Sequence, residues 1–251
     1  MNTEKTVADD LMRTIKKVGI DGTTLKWIAL ITMIIDHAAA VFLNHGAEYT
    51  VLRAVGRLSF PIFAFLITQG YRYTSDRRKY ALRLFVFAII SEIPYDLAFY
   101  NEFVCLRKQN IFFSLLLGLI AIRVMDYITG EMKMPQWITD KRMVVLVQSG
   151  LQIATILIIC YVAARTNLGY SYVGILLIVL YHSLRESKYG ITWANVLFAF
   201  MYGGIQLYGL FAIIPLTFYN GKPGNRKYKW LFYAFYPAHL LVLWVIHRFL
   251  V

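Results

Sequence analysis

The chain has 251 residues, 59% of them hydrophobic, with a mean hydropathy of +0.55 and a formal net charge of +12. That composition excludes an ordinary soluble domain, which holds roughly 45–50% apolar residues and could not hide this many apolar helices in so short a chain. The charge does not point to nucleic acid, because the basic residues sit in short connections between apolar blocks and no hydrophilic domain carries a duplex-binding surface.

In chain order, residues 1–23 are polar and form an N-terminal segment, with Lys16 and Lys17 just ahead of the first apolar run. No small-residue cleavage site follows that run, so it is expected to be retained. The remainder, 24–251, reads as one helical transmembrane domain. Apolar runs predict helices over 25–43, 51–71 (interrupted by Arg57 and Pro61), 80–100, 110–128, 143–163 and 170–184, with a last one over 229–250. The stretch 191–219 exceeds the roughly 20 residues of one upright crossing and divides near Gly203-Gly204 into two short helices.

The fold class expected is therefore all-α, a polytopic protein of the cell membrane with about nine crossings. Lys and Arg are retained on the cytoplasmic side. Lys5, Arg13, Lys16 and Lys17 share that side with Arg72, Arg77, Arg78, Lys79 and Arg83. Lys133, Lys141, Arg142, Arg185, Lys188, Lys222, Arg226, Lys227 and Lys229 follow on the same side. Only Arg107, Lys108 and Arg165 fall opposite. This places the N-terminus in the cytoplasm and the C-terminus outside.

A charged side chain at mid-bilayer costs about 2.5–3.5 kcal/mol on insertion scales, so such residues face a cavity or a partner. The first helix carries Asp36-His37, followed by three alanines that permit close helix approach. The second carries Arg53 and Arg57 at i, i+4, and Pro61 leaves the carbonyl of Arg57 without its helical donor. The third carries Glu92 and Asp96 around Pro94, and His37, Arg57 and Glu92 fall at similar depth. One reading is a set of ion pairs that only holds helices together. The other is a working site, since imidazole can accept and return a proton near neutrality.

His239 follows Pro237 in the last helix and suits either local backbone satisfaction or function. His45, His182 and His247 lie near helix ends and read as interfacial. Arg72, Arg77, Arg78, Lys79 and Arg83 form a basic loop that orients the chain on anionic lipid or clamps phosphate. Cys105 and Cys160 lack metal-ligand spacing, no metal is expected, and two free thiols are expected.

The segments "LKWIALITMIIDHAAAVF", "LRAVGRLSFPIFAFLITQGYRYTSDRRKYALRLFVFAIISEIPYDLAF" and "FYAFYPAHLLVLW" together resemble the TraX family, which takes its name from the conjugal-transfer pilin acetylase. The resemblance runs over nearly the whole chain and is most specific in Asp36-His37, in Gly56-Arg57 to Phe65, and in Phe232 to Leu240. It implies a membrane acyltransferase that takes an acetyl group from cytoplasmic acetyl-CoA. The acceptor it implies is a pilin or another extracytoplasmic molecule. His37 would act as general base with Asp36 as its support, and Arg57 would line the donor or acceptor path with Arg53, Glu92, Asp96 and His239. Arg72, Arg77, Arg78 and Lys79 would lie near the coenzyme A phosphates. A proton-coupled transporter and a non-catalytic membrane scaffold are the alternatives that the polar residues leave open.

Overall fold

Helices begin where a short polar side chain precedes an apolar run and satisfies an amide of the first turn. Asp21 accepts from Thr24 N at 2.8 Å, Asn110 from Phe112 N at 3.0 Å, and Asp140 from Arg142 N at 2.9 Å. Asp76 does the same for Lys79 N at 2.9 Å. The computed structural model describes residues 18–187 and 189–250. Lys5, Arg13, Lys16, Lys17 and Lys188 lie outside these.

The helices are α1 (Gly22–Phe42), α2 (Ala47–Gly56), α3 (Ser59–Tyr73), α4 (Arg77–Tyr100), α5 (Ile111–Gly130), α6 (Lys141–Arg165), α7 (Ser171–Ser183) and α8 (Gly190–Tyr202). A 3₁₀ segment, Gly204–Ala212, leads into α9 (Ile213–Thr217), and α10 is Lys229–Leu250. The expected interruption of the second apolar run is the break between α2 and α3 at Arg57-Leu58. The expected division of 191–219 falls at Gly203 and Gly204, whose positive φ values of 71° and 55° suit glycine.

The chain runs back and forth between two ends. At one end the backbone of Ile20 pairs with Tyr219, Gly22 N donates to Lys222 O at 2.8 Å, and the Tyr73 hydroxyl donates to Gly221 O at 2.5 Å. This end holds the α3–α4 loop and the 219–228 segment, and it is called the basic end below. At the other end Gln109 pairs with Leu168, Trp244 Nε1 donates to Asn101 at 3.2 Å, and Tyr202 donates to Gly169 O at 3.4 Å.

Among the described residues, five stretches are long and apolar enough to cross a membrane: Gly22–Phe42, Ala47–Tyr73, Ile111–Gly130, Lys141–Arg165 and Lys229–Phe249. Arg77–Tyr100 is equally long, but Arg83, Glu92 and Asp96 interrupt it. Ser171–Ser183, Gly190–Tyr202 and Gly204–Thr217 are shorter apolar legs. The buried core gathers Leu25, Leu30, Phe60, Ile62, Leu84, Ile122, Ile175, Leu177, Phe198 and Leu240 from seven helices. Large apolar side chains also point outward. Val145, Leu146, Leu157 and Ile158 of α6 are each more than 60% exposed, which in water would be costly and in lipid is the expected surface. The molecule is an all-helical membrane protein.

Candidate functional site

Gly56 stands where α2 crosses α1, and a Cβ built there would coincide with the Asp36 side chain. The close approach brings both arginines of α2 and its C-terminal junction onto one carboxylate. Arg53 Nη1 donates to Asp36 Oδ2 at 2.8 Å and to its carbonyl at 3.2 Å, and Arg57 Nη2 pairs with Oδ1. Arg57 Nε donates to Arg53 O at 3.2 Å. The Arg57 carbonyl, deprived of a helical donor by Pro61, is met by Gln206 Nε2 at 3.4 Å from the 3₁₀ segment. Gln206 is fully buried, so this backbone break is held from a distant part of the chain.

His37 does not turn to Asp36. Its Nδ1 lies 2.8 Å from Nε2 of His239 on α10, and the two rings are 8° from parallel with centroids 5.1 Å apart. His239 Nδ1 in turn lies 2.9 Å from the carbonyl of Phe235. Phe99 packs edge-on against His37 at 5.2 Å, and Tyr236 at 6.1 Å. The expected support of His37 by Asp36 is therefore replaced by a histidine from the last helix, while Asp36 neutralises arginines on another side of α1.

A cavity of about 490 Å³ opens at the basic end and penetrates the bundle. Its mouth is lined by Ser75, Asp76, Lys79, Arg83, Lys26, Asn225 and Lys229. Its walls are Leu30, Met33, Leu84 and Leu115, and it reaches Phe112 and Tyr236. Phe112 and Tyr236 meet edge to face at 5.2 Å, and Tyr236 touches both His239, at 5.6 Å, and His37. The inner end of the cavity is thus one aromatic ring away from the imidazole pair. At the mouth, Asp76 is held below the ordinary carboxylate range, first by the Lys79 amide and then by the Lys79 ammonium 3.4 Å away.

Of the basic loop, Lys79 and Arg83 line the cavity. Arg72 lies over the Tyr73 ring at 5.9 Å and Arg77 over Tyr71 at 4.4 Å, and Arg78 is exposed. Lys26 and Lys229 join Lys79 and Arg83 as the cations at the mouth. Lys26 and Lys229 lie near the N-terminal ends of α1 and α10, a position that in sequence reads equally as an orientation signal.

Glu92 and Asp96 do not join Arg57. Glu92 accepts from the side chain and backbone amide of Asn110, and Asp96 from Cys105 N at 2.7 Å, so both hold the 101–110 connection onto α4. His182, expected at an interface, is buried. Its Nε2 is 2.8 Å from Asp126 Oδ1, and the Tyr71 hydroxyl donates to Asp126 Oδ2 at 2.9 Å. This cluster ties α3, α5 and α7 together at the basic end. Cys105 and Cys160 are free thiols. Among the described residues no group of three His, Cys, Asp or Glu converges as metal ligands.

Fold and site define a helical membrane protein with a buried histidine pair behind a cavity whose mouth is basic. The chain belongs to the TraX family, whose model, described as TraX protein, matches residues 21–247. A curated relative, the probable fimbrial assembly protein FimC, serogroup H1, of Dichelobacter nodosus, is 28% identical over 269 aligned positions, 94% of this chain and 99% of that protein. No solved structure matches the chain.

Proposed function

We propose that this protein is a membrane acyltransferase that moves an acetyl or other small acyl group from cytoplasmic acyl-CoA to an acceptor on the far side of the cytoplasmic membrane. The observation that carries this reading is the cavity, which runs from a mouth of four cations and one carboxylate to the ring beside His37 and His239. Phosphates are bound by such cations, and the apolar walls suit a pantetheine arm. The basic end would face the cytoplasm, as lysine and arginine placement favours.

In the reaction, His37 takes a proton from the acceptor amine or hydroxyl as its nitrogen or oxygen bonds to the thioester carbonyl carbon. The carbon–sulfur bond then breaks, and the leaving thiolate takes up a proton to give free coenzyme A. General-base help of this kind contributes about 10²–10⁴ in rate. Arg53 and Arg57, already paired with Asp36, hold α2 against α1 beside the base. The relative's name, a probable fimbrial assembly protein, favours a pilin or another surface molecule as acceptor.

The test is thermal unfolding in detergent with acetyl-CoA, coenzyme A or ATP. A ligand that binds only the folded state at a hundredfold excess over Kd adds about 2.7 kcal/mol. Acetyl-CoA and coenzyme A should stabilise and ATP should not. Lys79→Glu with Arg83→Glu should weaken donor binding about 10–100-fold through lost charge-assisted contacts, whereas Arg78→Glu should leave it unchanged. His37→Ala should fold, bind donor and transfer nothing. No stabilisation by millimolar donor, or transfer by His37→Ala, would overturn the proposal.

A further inference from the structure

A carbonyl oxygen cannot donate a hydrogen bond, so the 2.9 Å contact with Phe235 O puts the proton of His239 on Nδ1. In a neutral imidazole the other nitrogen then carries only a lone pair. His239 Nε2 must accept, and the partner 2.8 Å away, His37 Nδ1, must donate. The remaining nitrogen of His37, Nε2, is left with a free lone pair, and among the described residues it has no hydrogen-bond partner. The geometry favours this order. The centroid separation of 5.1 Å equals the N···N distance plus the two ring radii, so in nearly parallel rings the bond lies in both ring planes, along the lone pair. With the protons reversed, the Phe235 carbonyl would face a lone pair at hydrogen-bond distance.

We propose that His239 is a positioning residue that sets the tautomer of His37. It holds the basic nitrogen, Nε2, on the side of the ring away from His239, free to take a proton. Its catalytic consequence rests on the acyl-transfer reading, while the tautomer itself does not. Phe99, Tyr236 and Phe235 enclose the pair with aromatic rings. The nearest charges, Asp36 with Arg53 and Arg57, are paired with one another on a different side of α1. The tautomer is therefore set by one neutral acceptor, where a catalytic triad uses a carboxylate.

The experiment is nitrogen NMR of histidine-labelled protein in lipid nanodiscs, with the His37 signals assigned by their loss in His37→Gln. His37 should carry its proton on Nδ1 in the wild type and in His239→Gln, whose amide oxygen takes the place of the accepting nitrogen. In His239→Leu the preference should vanish. In parallel, His239→Leu should lower kcat by about 10²–10⁴ with the donor KM and the coenzyme A stabilisation unchanged. His239→Gln should restore kcat to within about tenfold of wild type. A wild-type proton on His37 Nε2 overturns the proposal, as does a full kcat or only a raised KM in His239→Leu. If the wild type transfers no acyl group, the acyl-transfer reading falls, and the NMR arm still decides the tautomer.

Discussion

Asp36 and His37 are adjacent, yet they serve different partners, because neighbouring side chains on a helix point roughly 100° apart. Asp36 looks at α2 and collects Arg53 and Arg57, while His37 looks at α10 and meets His239. The first contact depends on an absent side chain. At Gly56 any Cβ would collide with the Asp36 carboxylate, and Asp36 and Arg57 are only 10% and 11% exposed. Gly56→Ala should force the helices apart and cost about 1–3 kcal/mol by overpacking. Asp36→Ala should cost more, about 3–5 kcal/mol, because two partly buried guanidiniums lose their counter-charge. Denaturant or thermal melts of both variants check the order. That polar residues of α1 and α2 would meet was legible in the sequence from their depth and spacing. The partner of His37 was not, because it lies 202 positions away, and a single histidine after a proline in an apolar run looks the same whether it binds its own backbone or another ring. It does both.

Among the elements, the connection from α4 to α5 shows how intramembrane acids can be structural. Glu92 and Asp96 fix the 101–110 segment through Asn110 and the Cys105 amide. Asn110 is fully buried, caps α5 through Phe112 N and donates to Ala88 O at 2.7 Å. Asn110→Ala should therefore lose a cap and take from the Glu92 carboxylate its side-chain donor, costing about 2–4 kcal/mol in a thermal melt. Glu92→Gln should keep donor binding and transfer, since the site does not use its charge. Helix positions were readable from the apolar runs, and Pro61 and Gly203-Gly204 marked the interruptions. The 3₁₀ winding of Gly204–Ala212 left no such mark, because its residues are as apolar as those of a regular helix. The assignment of Glu92 failed for a related reason: depth alone does not distinguish an acid awaiting an arginine from one awaiting an amide.

For the whole molecule, the two ends differ in charge and in what they admit. The cavity mouth and the strap at 219–225 share one end with Ser75, and Glu102 lies at the other. With the basic end inside, a membrane-impermeant maleimide applied to intact cells should label Glu102→Cys and spare Ser75→Cys. The background should lack Cys105 and Cys160, and labelling of both positions after lysis is the control. The reverse pattern would turn the protein over in the membrane and send any donor in from outside. The membrane class and the order of apolar runs were plain in composition and periodicity, which are local properties. The cavity was not, since its lining comes from α1, α3, α4, α5 and α10 together. One consequence concerns synthesis. The first helix supplies His37 and the last supplies His239, and 202 positions separate them. At about 5–20 residues per second, a ribosome needs roughly 10–40 s to travel that distance. Over that interval His37 has no partner, and the pocket lacks the wall that α10 provides. A nascent chain, or one truncated before Lys229, thus holds a half-built centre, and the proposed chemistry must wait until α10 has joined α1.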